Sequence, residues 1–268
     1  MSPQAWPTLF IPHGGGPCFF MDTPPQWPKD TWDRMGAFLR GIDGSLGRRP
    51  RAVLVVSAHW ETERPTVNVA QRPKLLFDYY GFPEHTYHLS YMVDGAPELA
   101  GEVRELLADA GIESDVDSER GLDHGVFVPF KLVYPNADVP VLQLSLQRDL
   151  DPATHLAVGR ALAPLRERNV LIVGSGMSYH NLRGLFSGRG NEEAEAFDAW
   201  LTSAVLDAGT RDESLVDWRA APGAEASHPE AEHLLPLMVA AGAAQGETAE
   251  RIYADHVLGK PVSGFRFG

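Results

Sequence analysis

The chain has 268 residues, a formal net charge of −13, 44% hydrophobic and 22% charged residues, and a single cysteine. A length of this order suits one substantial core, the acidic balance disfavours a nucleic-acid partner because that affinity needs clustered Lys and Arg, and Cys18 alone can form neither an intrachain disulfide nor a thiolate metal cluster. Apolar runs such as residues 53–57 fall far short of the about 20 residues that span a bilayer, and the start Met-Ser-Pro-Gln-Ala-Trp lacks the basic and apolar stretches of a secretory signal, so we expect one domain over residues 1–268, located in the cytoplasm.

Residues 8–12 read as the first strand and 52–58 as the second, both nearly continuous apolar runs of the kind buried on two faces. Residues 71–91, rich in aromatics, are expected to form a loop that walls or covers a site. Pro97 opens a helix with Leu99, Val103, Leu106 and Ala110 on one stripe, stopped by Gly111. A third strand covers 139–146. Asp151 before Pro152 starts a helix that turns Leu156, Leu162 and Leu165 inward. The fourth strand is 170–174. Asn191, followed by Glu192 and Glu193, starts a helix carrying Phe197, Trp200, Leu201 and Val205. Residues 206–226 read as a second long loop, also expected to wall or cover a site. Ser227, with Glu230 at capping-box spacing, starts a last helix through Leu234, Leu237 and Met238 to about Ala244, stopped by Gly242 or Gly246. Strands alternating with helices predict an α/β fold, with a central, mostly parallel or mixed sheet and helices on both faces.

Ten histidines are spread along the chain. His13 follows the first strand, His59 the second, and His180 lies just past the fourth. In open α/β sheets, ligands bind in the crevice at the strands' carboxyl ends. Singly, each of these residues reads more readily as a capped, hydrogen-bonded loop histidine. Together they can converge, and neutral imidazole is the commonest transition-metal ligand, so His13 and His59 are the first candidate ligands. Gly14, Gly15 and Gly16 let backbone approach a ligand, but the run lacks both the GxGxxG spacing and the Lys and Ser or Thr of a P-loop, so nucleotide binding is not expected. His85 and His88 sit among Gly81, Pro83 and tyrosines and read as loop wall or surface residues. His228 stands five positions before His233, poor spacing for joint ligation from one helix face. His155 and His256 read as solvent-facing or structural, and Cys18 as a small buried residue. Tyr179, Phe19, Phe20 and Phe127 are candidate pocket aromatics.

Six segments in order resemble class III extradiol ring-cleavage dioxygenases, in the branch of DOPA extradiol dioxygenases. They are Phe10-Ile11-Pro12-His13-Gly14-Gly15-Gly16-Pro17, Val55-Val56-Ser57-Ala58-His59-Trp60, Tyr80-Gly81-Phe82-Pro83, Gly121-Leu122-Asp123-His124-Gly125, Gly174-Ser175-Gly176-Met177-Ser178-Tyr179-His180-Asn181-Leu182 and Glu232-His233-Leu234-Leu235-Pro236-Leu237. They cover most of the chain.

The resemblance implies a mononuclear metal held by His13, His59 and His233, with His180 as the acid/base residue beside a catechol-type substrate and His124 as a second catalytic histidine. It implies ring cleavage with O2 at a non-haem site, with Fe(II) required for activity, whereas Zn(II) can occupy the same three-histidine site without redox chemistry. This departs from the commoner pattern of two histidines and one carboxylate. Glu232 adjoins His233, but neighbouring helical positions point about 100° apart, and the branch's pattern selects His233. The expected partners are the catechol and O2, with no nucleic acid and no membrane, and a homo-oligomer left open. Two other readings compete. One is a zinc-dependent hydrolase using the same ligands to acidify water, although no HExxH helix supports it. The other is a non-enzymatic binding protein on the same scaffold. A serine hydrolase is weaker still, because Ser175 and Ser178 lack the G-x-S-x-G setting.

Overall fold

The apolar runs form the middle of one sheet. In the computed structural model, which describes residues 5–268, strands β1 (Thr8–Pro12), β2 (Ala52–Thr62), β3 (Thr66–Asn68), β4 (Asp115–Asp117), β5 (Val141–Gln147), β6 (Val170–Gly176), β7 (Ala249–Val257) and β8 (Lys260–Phe267) lie in the order β4-β3-β5-β2-β6-β1-β8-β7. The central strands β5, β2, β6 and β1 run parallel, whereas β8 joins β1 and β7 antiparallel, and β3 joins β5 antiparallel. The sheet is therefore mixed around a parallel centre.

Alternate residues of each central strand feed two separate cores, as a period of two dictates. Phe10, Leu54, Val56, Leu144 and Ile172 face one side, where they meet α2 (Pro97–Asp109), α4 (Pro152–Leu162), α6 (Asn191–Leu206) and α9 (Leu235–Ala243). Leu9, Ile11, Val53, Val55 and Val173 face the other, where they meet α1 (Asp33–Leu46) and α3 (His124–Val133). Three short helices, α5 (Leu182–Ser187), α7 (Arg211–Val216) and α8 (Ala224–Ser227), complete the labelled helices. The expected helix starts hold at Pro97, at Asn191 and at Asp151, whose carboxylate accepts the Thr154 N–H at 2.7 Å. No helix among the described residues is long and apolar enough to cross a membrane.

The last helix differs from expectation. Ser227 ends α8 rather than starting α9, and residues 228–234 form a turn, so His233 sits before the helix and not in its first turns. Gly242 does not stop α9 either. It lies inside the helix, where a Cβ would come within 2.2 Å of the Leu156 carbonyl, so its role is to let α9 pack backbone-close on α4. The segment 206–226 is largely helical and forms no part of the cavity wall described below. The C-terminal hairpin β7–β8, the short strands β3 and β4, and helices α1 and α3 were not anticipated.

Candidate active site

His13 is the first residue beyond β1, and its N–H donates to the Gly176 carbonyl at 3.2 Å. His59 lies near the end of β2, in a stretch where the register with β5 shifts between Val56 and Glu61. Irregularities of this kind re-aim side chains beside active sites. His180 follows β6 and donates its N–H to the Ser227 carbonyl at 3.0 Å. His124 opens α3. The carbonyl of His233 accepts the Met177 N–H at 3.0 Å, which pins the turn before α9 to the end of β6.

All five imidazoles line one cavity. Ring centroids of His13 and His59 are 4.9 Å apart, those of His13 and His233 5.2 Å, and those of His59 and His233 4.7 Å. His124 lies 3.9 Å from His59 and 5.5 Å from His13, while His180 stacks on His233 at 3.3 Å. The ligand nitrogens of His13, His59 and His124 fall within 4.8 Å of one another, and so do the ligand atoms of His180, Glu232 and His233.

Close packing at two glycines permits this convergence. A Cβ at Gly125 would meet both the His59 ring and Ser57 Oγ at 2.9 Å, and a Cβ at Gly176 would meet the His233 carbonyl oxygen at 2.2 Å.

Acceptors behind the rings fix their tautomers. Ser175 Oγ gives its proton to the Gly125 carbonyl and lies 3.2 Å from His13 Nδ1, so His13 donates through Nδ1 and keeps a lone pair on Nε2. Asp78 Oδ1 accepts from His124 Nδ1 at 2.8 Å and from the His124 backbone N–H at 2.9 Å, and the other oxygen of Asp78 faces His59 Nδ1 at 3.8 Å. Glu232 Oε1 accepts from His233 Nδ1 at 2.9 Å and lies 3.2 Å from His180 Nδ1. The Nε2 atoms of His13 and His59 come within 3.1 Å of each other. Two lone pairs repel at that distance unless a cation or a shared proton lies between them.

The electrostatics agree. Burial, then the charges of His59 and the other imidazoles, would hold His13 well below its ordinary pKa, and burial followed by His180 does the same for His233. Burial and His124 push His59 down to about 3, against the pull of Asp78. Neutral rings are the form that binds metal. Burial alone would raise Asp78 and Glu232, but hydrogen bonds from His124 and His180 respectively hold both carboxyls below their ordinary values, so both are ionised acceptors.

A further carboxyl sets the backbone. Asp123, fully buried just before α3, accepts from Ser57 Oγ (2.7 Å), from Arg120 Nη2 (3.2 Å) and from Gln143 Nε2, tying β2 and β5 to the helix that begins with His124. Asp78 and Asp123 escaped sequence reasoning, and Glu232 was weighed only as a ligand. A partner of a histidine has no spacing signature, and the adjacency of Asp123 to His124 and of Glu232 to His233 was the only available signal.

The cavity measures about 450 Å³. Its walls include Gly14–Gly16, Cys18, Tyr179 and, as expected of residues 71–91, Tyr79, Tyr80 and Phe82. Phe19, Phe20 and Phe127 do not line it. Phe19 packs edge-on to Trp32, and Phe127 is buried against Phe77. Burial raises the Cys18 thiol, which suits packing and not nucleophilic attack. His85, His88 and His256 are exposed. His155 and His228 are buried structural residues, the first bonded to the Asp151 carbonyl and Gln147 N–H, the second to the Ser178 carbonyl.

A family model described as the catalytic LigB subunit of aromatic ring-opening dioxygenase matches residues 7–264. The chain belongs to this family. Its relatives include the dioxygenase tasH of Hapsidospora irregularis, 39% identical over 98% of this chain and 85% of that protein. The 4,5-DOPA dioxygenase extradiol of Beta vulgaris is 39% identical over 92% of this chain and 90% of that protein. The protein of the same name from Escherichia coli K12 is 32% identical over 100% of this chain and 93% of that protein. Among solved structures, an uncharacterized protein of Escherichia coli K12 superposes with a TM-score of 0.77 at 29% identity, covering 98% of this chain and 100% of that one. This LigB-family chain is an extradiol ring-cleaving dioxygenase, an oxidoreductase that uses a small-molecule substrate and O2. The hydrolase and binding-protein readings give way to it.

Proposed function

We propose that the protein cleaves a catechol beside its two hydroxyls, with His13, His59 and His233 holding one non-haem metal and His180 and His124 managing protons. The observation that carries this reading is the near-equilateral triangle of the His13, His59 and His233 rings, with sides of 4.9, 5.2 and 4.7 Å. Imidazoles bound through nitrogen about 2.0–2.1 Å from one ion place their centroids about 5 Å apart. The His124 ring makes a less regular set, at 3.9 and 5.5 Å from His59 and His13. Three neutral rings, those of His13 and His233 buried and that of His59 half-buried, each with an acceptor facing its Nδ1, fit a divalent transition metal. As Fe(II), that metal would supply the passage of electrons from catecholate to O2, which Zn(II) cannot.

The chain's own residues do the rest. His180 donates Nδ1–H to Glu232, so Nε2 is the base that takes the second hydroxyl proton, and the ionised Glu232 stabilises the imidazolium that results. His124, whose Nδ1–H donates to ionised Asp78, has Nε2 as the atom through which a proton can pass to oxygen as the ring opens. Both atoms of O2 enter the product, a hydroxymuconic semialdehyde: one becomes the aldehyde oxygen, the other joins a catechol oxygen in the carboxyl, and the second catechol hydroxyl remains as the enol. Acting in the cytoplasm, the protein would serve breakdown of aromatic compounds.

The test is to strip the protein of metal, restore Fe(II) or Zn(II) anaerobically, add a catechol and follow O2 uptake. We expect uptake and a yellow product with Fe(II) alone. An Fe(II) protein that leaves O2 untouched across a panel of catechols would overturn the assignment.

A further inference from the structure

The outer half of the catalytic cavity is chemically one-sided. Beyond the histidines it is lined by Met21, Trp27, Trp32, Phe82, Leu185 and Phe186, and no Lys, Arg, Asp or Glu stands among the described lining residues. Three of the polar side chains of this wall are already engaged, and the others, the Tyr80 and Tyr179 hydroxyls and the Trp27 and Trp32 indoles, are uncharged. Thr23 Oγ1 donates to the Lys29 carbonyl (3.0 Å), and the Tyr79 hydroxyl donates to the Thr86 carbonyl (2.7 Å). Asn181 uses Nδ2 on the Ala226 carbonyl (2.8 Å) and Oδ1 on the Gly184 N–H (3.0 Å).

Two cations close to the site face elsewhere. Lys260 is buried against the Tyr179 ring, with Nζ donating to the Arg189 carbonyl and to Asn191 Oδ1. Arg120 donates to the His59 carbonyl (2.9 Å) and to Asp123 (3.2 Å), and lies over the Trp60 ring. The mouth continues the apolar character. Trp27 and Phe186 stack there at 5.7 Å, and Tyr80, Leu182 and Phe186 are exposed. Large exposed apolar side chains gathered around a cleft mark a place where an apolar molecule enters.

A cavity of about 150 Å³ already holds a benzene ring, so a catechol fills only part of the about 450 Å³ present here. Its substituent must lie against the apolar wall. We propose that the substrate is a catechol carrying an uncharged apolar alkyl or aryl substituent, and not one with an amino-acid or carboxylate side chain. This inference rests on the ring-cleavage reading above. A carboxylate or ammonium buried here would lose its water with no Lys, Arg, Asp or Glu among the described residues of the wall to pair with it, whereas an apolar substituent gains from leaving water.

The experiment compares an n-butyl catechol, dihydroxyphenylalanine and dihydroxybenzoate with the Fe(II) enzyme. O2 uptake gives kcat/KM, and anaerobic quenching of indole fluorescence gives binding, since Trp27 and Trp32 both line the cavity. We expect the butyl catechol to exceed both charged compounds by about tenfold or more in kcat/KM and to bind more tightly. Leu185→Arg, which sets a guanidinium into this wall, should narrow or reverse the gap to dihydroxybenzoate. A charged catechol that matches or beats the butyl compound in turnover and in binding overturns the inference while leaving ring cleavage intact. If no catechol consumes O2, the ring-cleavage reading fails, and the anaerobic ranking still decides the pocket's preference: tighter butyl binding supports it, equal or reversed binding refutes it.

Discussion

Replacing Gly176 with alanine tests His233 without altering that side chain. The added Cβ would stand 2.2 Å from the His233 carbonyl oxygen and 3.0 Å from the Phe10 ring, and because contacts under 3.0 Å do not occur, the His233 turn must retreat by about 0.8 Å. That movement stretches the Met177 N–H bond to His233, now 3.0 Å, and withdraws one corner of the imidazole triangle. Overpacking of this kind costs about 1–3 kcal/mol, and a weakened buried hydrogen bond about 1 kcal/mol more. A total of roughly 2–4 kcal/mol lowers the melting temperature by roughly 5–15 °C in a chain of this size. Loss of ligand placement should weaken metal binding by about 10–100-fold. Chelator competition measures the affinity, and thermal melting measures the stability. Gly101→Ala is the control, in an exposed part of α2 with nothing within 4 Å of the new Cβ, where alanine should stabilise by roughly 0.5–1 kcal/mol. If Gly176→Ala melts early yet binds metal and cleaves catechol like the parent, the reasoning that ties this turn to the metal is wrong.

His180→Ala should lower kcat by about 10²–10⁴-fold with metal content unchanged, and full turnover at unchanged metal would remove His180 from the mechanism. His228 tests burial in a different way. It is buried with Nε2–H donating to the Ser178 carbonyl, and burial pushes its pKa from 6.5 down to about 4. As pH falls, the unfolded chain takes up this proton first, so the fold loses stability between pH 6.5 and about 4, by up to about 3 kcal/mol. His228→Gln keeps a donor for Ser178 but cannot titrate, and urea unfolding across that range should show a flatter pH dependence. An unchanged slope would show that His228 does not carry it.

The part of the site that sits on strand ends was legible, and the part on turns was not. His13, His59 and His180 could be placed at one edge because continuous apolar runs mark the buried strands they follow. His124 and His233 became candidates through family resemblance, since a helix start and a turn obey no comparable rule. The last helix was misread because Ser227 and Glu230 imitate a capping box, while Pro236, which fits only the first turn of a helix, marks the true start at Leu235. The hairpin β7–β8 is hard to read because β7 mixes exposed residues such as Glu250, Ala254 and His256 with half-buried charged ones such as Arg251 and Asp255 at the sheet's edge. Asp78 and Glu232 act through hydrogen bonds that exist only after distant segments meet.

The central claim concerns which three rings hold the ion. The most direct measurement is metal stoichiometry after anaerobic Fe(II) loading of His233→Ala and His124→Ala, side by side with the parent. The account predicts that His233→Ala retains almost no iron, while His124→Ala binds one ion per chain and loses turnover. An iron-replete His233→Ala beside an iron-free His124→Ala would contradict it.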